Sequence, residues 1–447
     1  MTRPMERPLA RRTLLAGAAA TGAGAVWAGA GQAAAAAGGP VAGEGSGRAV
    51  TDAGGPLVGR AAVAAEAARV GPALIGLRRD LHRHPEAPGQ ERRTAAVVAR
   101  ELRAAGLTVT TGLGGHGVVG VLRGSRPGRT VAYRADTDAV PPASVVGTGS
   151  APAHVCGHDV HTAVGVGVAR VLARLRHRLS GTAVFVFQPA EETLSGARAL
   201  LGTGVLERLG VEEIHALHCG PFPVGRFAVL PGYGMPGQDR VELTISGPDA
   251  ADAARRLAAD VAALATVALP RTPADLERLV EDAQIPDGPL ARFVALQAVA
   301  REAGVSVSYR CWPQERYVEV REGIRRAAAP YAGASVRFPA EPFPALVCPE
   351  HDTRLLARHL RRTLGRSAVV ELHAAFPPFS GEDFALYLNR MPGTYTFLGV
   401  RTPGACVTTS YPHYPDFSPD ERAIGLGVRA MAGWIAERTH GGQHLPR

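Results

Sequence analysis

From residue 60 onward two apolar patterns alternate, and their order predicts the fold class. Ala61–Leu81 and Thr94–Ala105 carry apolar residues at helical spacing, the second stopped by Gly106. Val109–Leu122 and Thr130–Ala135 read as strands, separated by a Gly-rich turn at Gly124–Gly128. Ala163–Leu175 is apolar on every side, the pattern of a buried helix. The continuous apolar run Gly181–Phe187 predicts a strand covered on both faces, and Ile214–Leu217 predicts another. Strands alternating with helices in this way predict an α/β domain.

Near Arg240 the pattern changes. Val241–Ser246 alternates like a half-exposed strand, and Asp249–Thr266 reads as an amphipathic helix. Strands at Arg292–Val299 and Val305–Tyr309, a helix at Tyr317–Ala329 and a strand near Ser335–Phe338 follow. That order describes a small α+β insert with helices packed on one face of its sheet. The earlier style returns from Leu346, with helices at Asp352–Leu364 and Pro419–Glu437 around strands at Val369–Leu372 and Thr394–Leu398. The expected organisation is therefore a discontinuous large domain, 61–240 with 345–440, interrupted by an insert at 241–344.

The amino-terminal residues read as an address. Arg11-Arg12 precedes Thr13-Leu14-Leu15 and a weakly hydrophobic Ala/Gly run to residue 37, the parts of a twin-arginine signal peptide. This predicts export and secretion, and the run is too rich in Gly and Ala for a spanning anchor. Residues 38–60 then read as a flexible Gly/Ala/Pro linker.

Composition narrows the chemistry. The chain has 447 residues, 46% of them hydrophobic, enough for a large core. It has no lysine, which excludes Schiff-base chemistry and phosphate loops that need a lysine. Its net charge of +9 is carried by arginines scattered over helix faces, without a basic block interleaved with aromatics, so a nucleic-acid partner is not expected. The five cysteines are widely spaced and odd in number, unlike a disulfide framework.

The densest chemistry is A-H-V-C-G-H-D-V-H-T at Ala153–Thr162, which gathers Cys156, His158, Asp159 and His161 beside His154 at the mouth of the buried helix. A thiol and imidazoles at that spacing suit zinc or manganese. Asp136 and Asp138, Glu191 and Glu192, and His218 each follow a predicted strand, and strand ends of one sheet converge in space. Two adjacent carboxylates after a buried strand need a cation. Their diverging side chains allow one to ligate and the other to act as a base.

R-R-D-L-H-R-H-P-E, Y-R-A-D-T-D-A-V-P, H-V-C-G-H-D-V-H-T, F-Q-P-A-E-E, A-L-H-C-G-P and F-S-G-E-D-F stand in order between Leu77 and Trp434. Together they resemble the hippurate hydrolase and N-acyl-amino-acid amidohydrolase family, with relatives among plant auxin-conjugate hydrolases and di-zinc aminopeptidases and carboxypeptidases. The resemblance implies an α/β metallopeptidase domain with a large mixed sheet, and an inserted ferredoxin-like α+β lid that also serves dimerisation. It implies two divalent cations, Zn or Mn, held by Cys156, His158, Glu192, His218 and His413. Glu191 would be the general base, Asp138 would orient a ligand imidazole, and Arg310 would bind substrate. His215, three positions from His218 on a strand, is the rival ligand and should face the other way. The family's lid carries G-G-H-A, whose histidine stabilises the oxyanion across a dimer; here Gly247 runs into Pro248-Asp249-Ala250-Ala251 and that histidine is missing. The expected function is an exported, metal-dependent amidohydrolase acting on N-acyl amino acids or small peptide-like substrates. A di- or aminopeptidase, or a homologue that binds metal without full turnover, are the alternatives.

Overall fold

The computed structural model describes residues 58–142 and 151–441. The leader and most of the linker read from the sequence lie outside the described residues. Among the described residues no helix is long and apolar enough to cross a membrane.

In chain order, helices α1 (Arg60–His82) and α2 (Arg92–Ala104) lead into strands β1 (Thr108–Leu113), β2 (Gly117–Arg123) and β3 (Arg126–Asp136). Helix α3 (His158–Arg174), strand β4 (Ser180–Gln188), short helices α4 (Gly196–Leu201) and α5 (Val205–Arg208), and strands β5 (Glu213–Pro223), β6 (Phe227–Val229) and β7 (Gly234–Met235) follow. The insert contributes β8 (Asp239–Thr244), α6 (Ala250–Ala262), α7 (Pro273–Asp282), β9 (Phe293–Arg301), β10 (Gly304–Trp312), α8 (Tyr317–Ala328) and β11 (Ser335–Arg337). Strand β12 (Leu346–Val347), α9 (Glu350–Leu364), β13 (Val369–Glu371), α10 (Ala385–Leu388), β14 (Gly393–Arg401) and α11 (Arg422–Thr439) complete the chain.

The large sheet has eight strands in the order β1-β2-β4-β3-β5-β14-β6-β13. Its centre, β4-β3-β5-β14, is parallel, while β1, β2 and β6 pair antiparallel, so the sheet is mixed. Its parallel centre is buried on both faces, which is why those strands read as unbroken apolar runs. Helices α1, α3 and α11 cover one face. α3 packs tightly against its neighbours because it has glycines at its contacts: a Cβ on Gly167 would sit 2.4 Å from Val428 of α11 and 2.5 Å from Leu74 of α1, and one on Gly165 would sit 3.0 Å from Phe187 of the sheet.

The smaller sheet runs β11-β8-β10-β9, all antiparallel, with α6 and α8 on one face. Two helices on a four-stranded sheet in this order form a ferredoxin-like βαββαβ unit.

Two elements differ from the sequence pattern. Val109–Leu122 is not one strand but the hairpin β1–β2, because Gly112, Gly114 and Gly115 take positive φ values of 77°, 59° and 105° and turn the chain back. Helix α7 was not expected. It opens with a capping box, Thr272 with Asp275, behind Pro273, and buries Leu276, Leu279 and Val280 in the core of the large domain.

Candidate metal centre

Strands β3, β4 and β5 run parallel, so their carboxyl ends open at one edge of the sheet. There β3 ends at Asp136 and delivers Asp138, β4 ends two residues before the Ala190–Leu194 turn, and β5 carries His218. Gly157 allows the Cys156–His158 link to pass beneath: its φ is 100°, and a Cβ would meet Cys219 Sγ at 2.7 Å. Only glycine serves between those two side chains.

Seven of the eight side chains expected at the site gather here. Ligand atoms of Cys156, His158 and Glu192 lie within 4.8 Å of one another. His218 Nε2 is 3.5 Å from Cys156 Sγ, and His413 Nε2 is 3.4 Å from Glu192. Glu191 approaches His158 Nε2 to 3.8 Å. Asp138 accepts the Glu192 N–H at 2.9 Å and holds its other oxygen 3.4 Å from His158 Nδ1. His215 lies on the opposite side of β5, bonded to Thr394 and Glu213 and edge-on to Trp434.

The imidazoles are oriented by the backbone. His158 Nδ1–H donates to the Asp138 carbonyl at 2.9 Å, and His218 Nδ1–H donates to the Cys219 carbonyl at 2.8 Å. Both Nε2 lone pairs therefore face the cluster. His413 is held by its own N–H on the Val155 carbonyl at 2.7 Å. Ala190, Leu194 and His413 all have positive φ, at 55°, 53° and 69°. Non-glycine residues in that region cost about 1–3 kcal/mol each and cluster where function over-determines the backbone. Glu91 helps hold the turn, accepting the N–H groups of both Gly89 and Ala190.

Below this cluster runs a second, fully buried ionic layer. Arg134 Nη1 donates to Asp136 at 2.6 Å, its Nη2 reaches Glu382 and Asp383 at 3.1 and 3.0 Å, and its Nε donates to Gln188. Asp136 in turn accepts His161 Nδ1–H at 2.5 Å, and His161 Nε2 accepts the Cys219 N–H at 2.7 Å. Both nitrogens of His161 are committed. It lies beside Asp136, His158 and His218, yet with both nitrogens bonded it has no lone pair left to join the candidate ligands.

Three acids surround one arginine here, and Glu191 lies against two of them. Burial, then the charges of Glu382, Glu192 and Asp383, push the Glu191 carboxyl well above its ordinary value. Burial and the Glu192 and Glu191 carboxylates likewise hold the Cys156 thiol far above its usual value. Burial opposes protonation of His158, but Asp136, Asp138 and Glu192 outweigh it and raise that imidazole to about 10. The pocket carries an excess of negative charge that calls for a cation.

The residues fit divalent metal. His158 Nε2, Glu192 Oε1 and Asp138 Oδ1 are buried without a hydrogen-bond partner, an arrangement that is costly unless something positive completes it. Thiolate, imidazole and carboxylate together form a donor set for zinc or manganese. Cys156, His158, Glu192, His218 and His413 have the free lone pairs.

Arg310 stands apart, on the lid. Its Nη2 donates to Gln238 Oε1 at 3.2 Å and its buried Nε has no partner. A Cβ on Gly381 would sit 3.9 Å from that same Gln238 oxygen and 3.6 Å from Leu194, so Gln238 links Arg310 to the rim of the pocket. Burial, and then repulsion by Arg240, lower the Arg310 guanidinium to about 10. Strand β8 leads through Gly247-Pro248-Asp249 directly into α6.

The support layer was the part to which sequence reasoning gave no role: His161 was grouped with the possible ligands, Arg134, Gln188, Glu382 and Asp383 stood only as letters of motifs, and Glu91 was not singled out. One signal was available. Arg134 falls inside an apolar strand, and a cation there requires acids from elsewhere in the chain.

A family model described as peptidase family M20/M25/M40 matches residues 132–437. The N-acetylcysteine deacetylase of Bacillus subtilis is 34% identical over 378 residues, covering 80% of this chain and 95% of that protein. The IAA-amino acid hydrolase ILR1-like 5 of Arabidopsis thaliana is 28% identical, over 80% of this chain and 85% of its own. The crystal structure of Bacillus subtilis YXEP, described as a dinuclear metal-binding peptidase from the M20 family, superimposes with a TM-score of 0.62. It is 30% identical and covers 84% of this chain and 99% of that one.

Proposed function

The chain belongs to peptidase family M20/M25/M40, a family of metal-dependent hydrolases of amide bonds, and from that premise we propose that it hydrolyses N-acyl amino acids, with Glu191 as the general base. The observation that carries this reading is the cluster of Cys156, His158 and Glu192 ligand atoms within 4.8 Å of one another, with His218 Nε2 3.5 Å from Cys156 and His413 Nε2 3.4 Å from Glu192.

Cys156, His158, Glu192, His218 and His413 would hold two divalent cations, zinc or manganese, which would supply Lewis-acid activation of the amide carbonyl and of water. Glu191 Oε takes the proton of that water and returns it to the departing amine. Asp138 fixes the His158 ring and the Glu192 backbone, so neither has to reorganise during turnover. Arg310, pointing at the rim through Gln238, binds the carboxylate of the substrate's amino acid. The deacetylase name of the Bacillus relative and the amino-acid-conjugate name of the Arabidopsis relative support an acyl–amino acid bond as the target.

The test is a panel of N-acyl amino acids and dipeptides assayed with metal-stripped and metal-reconstituted protein. Turnover of acyl amino acids that depends on added zinc or manganese is expected. Turnover of dipeptides alone would make the protein a dipeptidase, and metal-independent turnover would overturn the reading.

The twin-arginine leader supports a secreted enzyme. Folding with metal in reducing cytosol before export would protect the Cys156 thiolate. Replacing Arg11 and Arg12 with lysine is expected to leave precursor in the cytoplasm, and normal export of that variant would contradict this route. A homodimer through the lid is part of the proposal; a single species of monomer mass in sedimentation would remove it.

A further inference from the structure

The face of the lid sheet turned away from α6 and α8 carries a cationic pair. Val241, Leu243, Val305, Val307 and Tyr309 point into the lid core, so the alternate residues Arg240, Ser308 and Arg310 share the other face. That face meets the large domain at its base: Ala295, directly opposite Arg310, is buried in the large-domain core, and Gln238 bridges Arg310 toward Gly381 and Leu194. One rung further out, Arg240 stands opposite Ser308. The two arginines are thus diagonal neighbours on adjacent strands, about 7–8 Å apart.

Among the described residues, neither arginine has a carboxylate partner, although other lid arginines do: Arg292 and Arg316 pair with Glu319, and Arg321 pairs with Asp239. The nearest acid on the same face, Glu242, accepts the Ser306 hydroxyl at 2.8 Å and makes no ion pair. Like charges held side by side without an acid are a standing repulsion, which an anion between them relieves. One carboxylate satisfies Arg310, the deeper of the two. Arg240, farther out and exposed, is placed for a second carboxylate at the end of a short side chain.

We infer that Arg240 reads a side-chain carboxylate, so that the preferred substrates are N-acyl derivatives of acidic amino acids. The inference rests on the amidohydrolase reading for its reaction, but the recognition is a property of the lid alone.

The decisive pair of ligands is N-acetyl-L-glutamate and N-acetyl-L-glutamine, which differ in charge and hardly in shape. The expected result is a kcat/KM higher for the glutamate derivative by about tenfold or more, the size of one charge-assisted hydrogen bond. In Arg240→Gln that ratio should fall toward one, with the larger loss on the glutamate derivative, and Arg240→Lys should restore part of it. Equal use of both by the wild type, or an unchanged ratio in Arg240→Gln, overturns the inference and leaves the amidohydrolase reading intact. If neither is hydrolysed, that reading fails for these substrates, and calorimetric binding of the two ligands to Glu191→Gln decides recognition. Tighter binding of the glutamate derivative, lost in the double variant with Arg240→Gln, upholds it. Equal or absent binding ends it.

Discussion

The floor of the pocket and the lid face above it treat charge in opposite ways. In the floor the support layer is over-determined: Arg134 bonds three acids and an amide, His161 uses both nitrogens, and the His158 and His218 rings are locked by backbone carbonyls. On the lid, Arg310 has one side-chain amide for company and Arg240 has no ion-pair partner among the described residues. The difference separates two tasks. Chemistry needs atoms held within fractions of an ångström, so it belongs on a rigid sheet with a full support layer. Recognition, the role proposed for Arg310 and Arg240, needs groups whose partners arrive with the ligand, and charges left open suit it.

Changing the floor should therefore cost most, and changing the lid should cost less and depend on substrate. Glu191→Gln is expected to lower kcat by about 10²–10⁴, roughly 2.7–5.5 kcal/mol of barrier, without a comparable loss of stability. A variant retaining more than a tenth of wild-type kcat would remove Glu191 from the mechanism. Arg134→Met strands three buried acids and should destabilise the fold by about 3–5 kcal/mol in chemical denaturation. A variant of unchanged midpoint would mean that the layer is not structural.

Arg310→Ala should lower kcat/KM on N-acyl amino acids by about ten- to a hundredfold, mainly through KM, because it acts on a carboxylate remote from the reacting bond. A fall in kcat alone would move Arg310 from recognition into stabilisation of the oxyanion, the role for which the lid lacks its histidine.

The smallest effect lies at the other end of β5. Burial would raise the Glu213 carboxyl, but Arg438 and His215 hold it well below the ordinary range. A depressed carboxylate stabilises the fold above its unfolded value, about 4.3, and loses that contribution as pH falls toward its folded value. Below pH 4 the melting temperature of the wild type should therefore drop more steeply than that of Glu213→Gln. Parallel acid limbs would show that Glu213 adds nothing.

Much of the floor was legible in the chain because its candidate ligands follow strand ends and sit in compact motifs. C-G-H declares its own geometry, since Gly157 is the residue that the approach of Cys219 permits. The α/β pattern and the small α+β insert were legible because apolar periodicity reports which faces are covered, while the ferredoxin-like form of that insert came from the family resemblance. The support layer was not, because Arg134 meets Glu382 and Asp383 almost 250 positions later, and no local pattern announces such a pairing. Helix α7 escaped for another reason. Its apolar stripe of Leu276, Leu279 and Val280 is short, and the surface that it covers belongs to the large domain rather than to the insert around it.

The central claim is that Cys156, with His158, Glu192, His218 and His413, holds a pair of divalent cations beside Glu191. Cobalt(II) titration of metal-stripped protein, followed by absorption, tests it most directly, because a thiolate bound to cobalt gives a charge-transfer band that nitrogen and oxygen ligands do not. The account predicts that band, saturation at about two cobalt ions per chain, as in dinuclear hydrolase sites, and loss of the band in Cys156→Ala with Glu191→Gln unaffected. A wild-type spectrum without the thiolate band, or one that survives in Cys156→Ala, would contradict it.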